Sequence, residues 1–214
     1  MLFKKVSIIG VGLIGGSLGM AIRKKKIAAR VIGIGRRRSS ISKALKLGAI
    51  DEATLDLKKG LKGSDLVIIS APTGLVADKI KESVRHINKP AIIIDVASVK
   101  ERIVARAEKI IRGRKGLCFI GTHPMAGSDE TGVSMARPDL FDGAVCIITP
   151  TKYTNAAALN KIKKLWQAAG SKIKIMSTKE HDLSVSKVSH LPHLIAYALC
   201  SSCVGKDISL AGPG

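Results

Sequence analysis

The chain of 214 residues is poor in aromatics, with one Trp, two Tyr and three Phe, and poor in acid, with 16 Asp and Glu against 36 Lys and Arg. The scarcity of rings removes the stacking platforms that hold single-stranded nucleic acid, and no nucleic-acid-binding motif is present, which argues against a specific nucleic-acid partner. The shortage of acid leaves a formal net charge of +20, which draws anionic ligands, and polyanions non-specifically at low salt. The basic residues stand in short groups, Lys24 to Lys26, Arg36 to Arg38, Lys58-Lys59 and Arg112 to Lys115. Groups spaced one element apart read as solvated helix ends more than as one binding surface. No apolar run approaches the roughly 20 residues that cross a bilayer, and Met1-Leu-Phe-Lys-Lys5 leads straight into a strand; no membrane association and a cytoplasmic location are expected. Of four cysteines, Cys118 and Cys146 fall in apolar strand-like runs and read as buried thiols. Cys200-Ser-Ser-Cys203 has the spacing of a redox or metal pair but no second pair to complete it, so reduced thiols and no metal site are expected.

What is present is organised around Val6-Ser-Ile-Ile-Gly10-Val-Gly12-Leu-Ile-Gly15-Gly-Ser17, where an apolar strand meets an amphipathic helix through closely spaced glycines. In this context the pattern reads as a dinucleotide seat. Gly10 makes the tight turn, Gly12 leaves bare backbone for a pyrophosphate, and Gly15 lets the helix pack close to the strand. The helix beginning at Leu13 and Ile14 then aims unpaired N–H groups at the phosphates. The second strand ends Ile34-Gly35-Arg36-Arg37-Arg38-Ser39-Ser40. Folds specific for NAD place Asp or Glu there to hold the adenosine ribose. That acid is missing. Arg36 supplies a planar charged fork suited to a 2′-phosphate, with Ser39 or Ser40 as further donors, so NADP is expected ahead of NAD.

The remaining pattern alternates strand and helix as in a doubly wound, mainly parallel sheet, an α/β fold. Strands are predicted at 4–10, 30–34, 65–70, 91–95, 117–121, 144–149 and 172–176, and helices at 13–25, 39–47, 74–87, 99–113 and 154–169. Right-handed crossovers would bring every strand's carboxyl end to one edge. Ser70-Ala71-Pro72-Thr73, Asp95-Val-Ala97-Ser98 and Gly121-Thr-His123-Pro-Met-Ala-Gly127-Ser128 each follow a strand, so they would converge on the crevice of the glycine turn. Singly, Asp95 and Ser98 could cap the next helix and His123 could be a turn residue; together they favour a site. From Lys179 the texture becomes a long helical run. At 3.6 residues per turn Asp182, Ser186, Ser189, His190, His193 and Tyr197 fall on one polar stripe, and Pro192 should kink the helix beside it. The division expected is a dinucleotide-binding domain over 1–177 and the start of an all-helical domain over 178–214.

GVGLIGGS at 10–17, LGAID at 47–51, APT at 71–73, DVASVK at 95–100, GTHPMAGS at 121–128 and HDLSVSKVSHLPH at 181–193 cover the chain in order. In these motifs it resembles the prephenate/arogenate dehydrogenases of tyrosine biosynthesis. The resemblance implies a Rossmann-type domain, a nicotinamide cofactor and oxidative decarboxylation of a cyclohexadienyl acid. Ring C4 loses a hydride and its hydroxyl a proton, and the C1 carboxylate leaves as carbon dioxide. Prephenate would yield 4-hydroxyphenylpyruvate, and arogenate tyrosine. By motif, His123 corresponds to the catalytic histidine and Ser98 to a serine holding the same hydroxyl. His190, Ser128, Asp129 and His193 fall to the substrate, while Ala71, Pro72, Thr73, Asp95 and Ala97 join the glycine turn around the cofactor. The family also implies a homodimer. Its helical domain runs on past an AGxG stretch to a carboxylate-binding arginine, whereas this sequence ends at Ala211-Gly-Pro-Gly214, which implies a fragment that binds cofactor and turns over poorly. Two alternatives stand beside this reading: a Rossmann oxidoreductase of the 3-hydroxyacid dehydrogenase type, and a non-catalytic dinucleotide-binding fragment.

Overall fold

Val6, Ile8, Leu66, Ile68, Ile92 and Ile94 alternate along neighbouring strands with Ile9, Val67, Ile69 and Ile93, and both sets are buried. A strand covered on both faces reads as a continuous apolar run, which is the signature of a parallel sheet sandwiched between helices. The computed structural model of the chain, which describes residues 1–128 and 130–203, has that architecture. Among the described residues one sheet of eight strands has the order β3-β2-β1-β4-β5-β6-β7-β8. Its strands are β1 Phe3–Ile9, β2 Ala28–Ile34, β3 Glu52–Thr54, β4 Leu66–Ile69, β5 Ala91–Asp95, β6 Leu117–Pro124, β7 Val145–Thr149 and β8 Lys172–Ile175. The helices are α1 Leu13–Lys24, α2 Arg38–Lys46, α3 Leu57–Leu61, α4 Val76–Ser83, α5 Glu101–Ile111, α6 Ala156–Ala168, α7 Thr178–Val185 and α8 Leu191–Cys203. One apolar cluster lies under α1, α2 and α6 and includes Leu18, Ile22, Phe141 and Trp166; the other, under α3, α4 and α5, includes Leu61, Ile80, Val104 and Phe119.

The structure corrects the expectation that all strands end at one edge. β1 to β6 are parallel, but β7 runs antiparallel to β6, and β8 is parallel to β7. The reason lies in the connection. A parallel neighbour needs a crossover, usually a helix, whereas the described residues of 125–144 hold only the short turn Val133–Met135. The chain therefore re-enters the sheet from the end at which β6 left it. Two elements also go beyond the predicted set. β3 is a three-residue edge strand without a buried residue, and α3 is a five-residue helix capped by Asp56, whose carboxylate accepts the Lys59 N–H at 3.1 Å. Neither is long enough to show a period.

The helical run after β8 is divided. A capping box opens α7: Ser177 Oγ accepts the Glu180 N–H at 3.2 Å, and Glu180 Oε2 accepts the Ser177 N–H at 2.8 Å. Residues 186–190 then form a π turn, with the Leu191 N–H reaching the Ser186 carbonyl. Pro192 explains its position. Proline has no N–H to give to residue 188, and its ring presses on that carbonyl, a conflict that a widened turn relieves. The predicted polar stripe does not continue into α8, where residues 191–202 are exposed on every side. Asp182, Ser186, Ser189 and His190 stay partly buried, while His193 and Tyr197 are exposed on α8. Cys146 is buried as expected, but Cys118 is only half-buried. Among the described residues no helix is long and apolar enough to cross a membrane.

Candidate active site

The glycine turn is built as its spacing implies. Gly10 has φ +90°, a conformation that favours glycine, and a Cβ there would strike the Ser70 carbonyl. A Cβ on Gly15 would collide with the Gly10 carbonyl and the Ser70 side chain, so α1 can lie this close to β1 and β4 only because that atom is missing. Gly12 differs: a Cβ there would meet nothing within 4 Å. It is also the N-cap of α1 and offers no side-chain cap, so the first N–H groups of that helix are left for a ligand. Open space beside bare backbone and uncapped donors fit a pyrophosphate.

A cleft of about 550 Å³ runs from this turn along the end of β2, bounded by Gly10, Gly12, Arg36, Arg37, Ala71 and Pro72 among others. Ser40 and Lys79 also face it, whereas Ser39 does not line it. Among the described residues Glu82 is the one carboxylate lining the cleft, and it is paired with Lys79 at 2.7 Å. The absent acid has a packing cause: a Cβ on Gly35 would run into the Ile41 side chain, which is buried. Leu13 and Ile14 form the half-buried first turn of α1, and exposed Thr73 opens the short turn after β4.

A second group lies where β5 and β6 end. Asp95 is fully buried, and its carboxylate is engaged by Lys100 Nζ, the Ala97 N–H at 3.1 Å and the Thr122 N–H at 3.3 Å. Its side chain is thus turned into the protein. Lys100, also fully buried, donates as well to the Thr122 carbonyl at 2.9 Å. Burial raises the Asp95 carboxyl, against the pull of Lys100, and burial lowers the Lys100 ammonium, against the pull of Asp95. The pair pins Thr122, the residue before His123.

His123 is nearly buried, at 9% exposure. Its Nδ1 lies 2.8 Å from His181 Nε2, and His181 Nδ1 lies 2.7 Å from Asp182 Oδ1. The two rings meet edge to face at 61°. Asp182 closes the chain on α5, where Oδ1 accepts the Lys100 N–H at 2.7 Å and Oδ2 the Glu101 N–H at 3.0 Å. Burial, aided by Lys100, His181 and His190, pushes the His123 imidazole down to about 3, with Asp182 pulling the other way. It is neutral at physiological pH. Burial lowers His181 too, against Asp182. For Asp182 burial acts upward, but the N–H groups of Glu101, His181 and Lys100 prevail and hold it below the usual carboxylate range.

The other sequence candidates are spread around this group. Ser98 is exposed on the loop between β5 and α5, and Ala97 is buried there. His190 is half-buried in the π turn, near enough to act on His123. Ser128 Oγ accepts the Glu130 N–H at 3.2 Å, and Asp129 lies outside the described residues. Among the described residues no cluster suited to a metal ion is present. Sequence reasoning passed over His181 and gave Lys100 no role. A signal for His181 existed: it stands four residues before Val185, and these are the two buried positions of α7.

A doubly wound sheet with a glycine turn under an uncapped helix, and a histidine at the same sheet edge, defines a Rossmann-type nucleotide-binding domain of the dehydrogenase kind. Comparison narrows the class. The family described as "Prephenate dehydrogenase, nucleotide-binding domain" matches residues 18–175, and the chain belongs to the prephenate/arogenate dehydrogenase family. Membership decides against the 3-hydroxyacid dehydrogenase alternative. Prephenate dehydrogenase of Bacillus subtilis is 36% identical over 195 residues, covering 91% of this chain and 52% of the relative. The crystal structure of Aquifex aeolicus prephenate dehydrogenase in complex with hydroxyphenyl propionate and NAD+ superposes with a TM-score of 0.87 at 33% identity, covering 98% of this chain and 71% of that one. Synechocystis arogenate dehydrogenase gives 0.83 at 32%, covering 98% and 76%. The chain spans about half the length of the first curated relatives it matches.

Proposed function

We propose that this chain carries the catalytic and cofactor-binding half of an enzyme that oxidises and decarboxylates prephenate or arogenate, with NADP used ahead of NAD. The observation that carries the reading is His123, a neutral histidine beside the carboxyl end of β6, on the sheet edge that also holds the glycine turn. Gly12 and the start of α1 hold the pyrophosphate, and Arg36, Arg37 and Ser40 face the adenosine end. When bound, the nicotinamide supplies the acceptor for the hydride of ring C4. His123 takes the C4 hydroxyl proton into a hydrogen bond as that C–H bond breaks. It returns the proton to the same oxygen once loss of the C1 carboxylate as carbon dioxide has left its electron pair in the ring. Ser98 steadies the hydroxyl, and Ser128, Asp129, His190 and His193 form the substrate side. Both neutral imidazole and buried surroundings favour this role, since a histidine already protonated could accept nothing.

The reading includes a homodimer, supported by the apolar side chains exposed along α8, and a reducing cytoplasmic setting, consistent with free thiols at Cys118 and Cys146. The test is His123→Asn in the protein at its full length, assayed with both substrates and both cofactors. Turnover should fall by about two to four orders of magnitude while cofactor affinity stays within a small factor of wild type. Unchanged turnover would remove His123 from the chemistry.

A further inference from the structure

His123 has two ring nitrogens, and only one can accept the substrate proton. A histidine in water favours the tautomer protonated on Nε2, and in a protein the tautomer is set by whatever the other nitrogen meets. Here that partner is His181, itself completely buried and in turn bound to Asp182. The direction of each bond follows from the far end. Asp182 takes two backbone N–H groups at the start of α5, so its carboxylate is ionised and can only accept. His181 must therefore carry its proton on Nδ1. Its Nε2 is then bare, and at 2.8 Å from His123 Nδ1 it can only receive a proton from that atom. The reverse order would set a lone pair of His181 Nδ1 against Asp182 Oδ1 at 2.7 Å.

We propose that His181 and Asp182 are positioning residues that hold His123 with its proton on Nδ1, leaving Nε2 as the bare acceptor for the substrate hydroxyl. The inference takes the catalytic reading of His123 as given, and it explains why a buried histidine pair is anchored on a helix start. Position and tautomer are set together, because the carboxylate that orders the protons also caps α5 and so docks α7 beside β6. The charged and titratable groups around His123 are Lys100, His181, His190 and Asp182. Lys100 is committed to Asp95 and the Thr122 carbonyl, so it competes for neither ring nitrogen of His123.

The tautomers can be read by nitrogen NMR on the chain labelled at histidine, since only five histidines need assignment. At neutral pH both His123 and His181 should show a protonated Nδ1 and a bare Nε2. His181→Leu, which leaves the Asp182 cap intact, should move the His123 proton to Nε2. It should lower kcat by about 100-fold, with KM and cofactor affinity nearly unchanged. His181→Gln, whose amide oxygen can accept the same proton, should restore the Nδ1 form and part of kcat. A proton on Nε2 of His123 in the wild-type chain overturns the proposal, and so does an Nδ1 form that persists in His181→Leu. The NMR signature needs no turnover. The expected tautomers with a full-length protein inactive on either substrate would support the proton order and defeat the dehydrogenase reading; an active full-length protein with Nε2 protonated would do the opposite.

Discussion

At the scale of single residues, the proposed chemistry depends on keeping His123 uncharged, and that has a cost. Its value falls from 6.5 to about 3 on folding, mainly through burial. Between those values the unfolded chain binds a proton that the native chain refuses, so stability is complete above about pH 6.5 and drains away as the pH drops toward 3. His181 is lowered as well and acts in the same direction. Denaturant titrations should therefore show a loss on the order of 2 kcal/mol from His123 between pH 7 and 5. His123→Phe should flatten that slope, and an identical slope in the variant would contradict the assignment. Arg36 yields a second residue-scale prediction. Its guanidinium faces the cleft where Gly35 excludes a carboxylate. Arg36→Ala should weaken NADP by about 1.5–3 kcal/mol and NAD far less, as for loss of one charged hydrogen bond. Calorimetric titration with both cofactors checks it, and equal losses would remove the proposed 2′-phosphate contact.

At the scale of elements, the strand, turn and helix from β1 to α1 separate two functions that glycine serves. Gly15 is a packing residue, and Gly12, beside open space, is the proposed binding one. Gly15→Ala has to push α1 off the Gly10 carbonyl and Ser70, and should cost upward of about 2 kcal/mol of stability. Gly12→Ala meets open space at φ −96°, so its melting temperature should barely change. Its methyl group would instead stand where the pyrophosphate approaches, and cofactor binding should weaken by about tenfold or more. Thermal melts and cofactor titrations on both variants would show opposite patterns; the same pattern for both would undo the distinction. The α7 to α8 segment makes the complementary point. Its start was read at Lys179, one residue inside the helix that the capping box of Ser177 and Glu180 opens, and the irregularity found beside Pro192 is a π turn over 186–190. What a uniform 3.6-residue period could not supply was the added residue of the π turn, nor that α8 beyond it is exposed on every side, His193 included.

At the scale of the whole molecule, α8 leaves Leu191, Leu194, Ile195, Tyr197 and Leu199 each more than half exposed. Contiguous apolar surface of this kind seeks cover. The chain by itself should associate with rising concentration in sedimentation velocity, and Leu194→Glu with Ile195→Glu should abolish this without shifting the melting temperature. Monomeric behaviour of the unmodified chain across the micromolar range would refute it. The excess of 20 positive charges acts differently, because scattered exposed lysines contribute an attraction that salt screens within a Debye length of about 10 Å at 0.1 M.

Local chemistry determined much of this from the sequence alone. Strand periods, the glycine spacing and the position of Gly35 at the end of β2 each concern residues close in the chain, where backbone sterics and burial set the answer. So the alternating α/β order, the dinucleotide seat and the missing acid were legible, and the motif around His123 pointed to the right sheet edge. Tertiary structure alone decided the rest. Antiparallel β7 follows from a connection that happens to lack a helix, which no period in β6 or β7 records. Asp95 looked like a crevice residue until folding set Lys100 against it in the interior, where a buried carboxylate needs a counter-charge more than a ligand does. The proton order of His123 depends on His181, 58 residues away, and on a carboxylate whose other bonds belong to α5. Contacts between distant residues carry no local spacing, and so only the fold could write them.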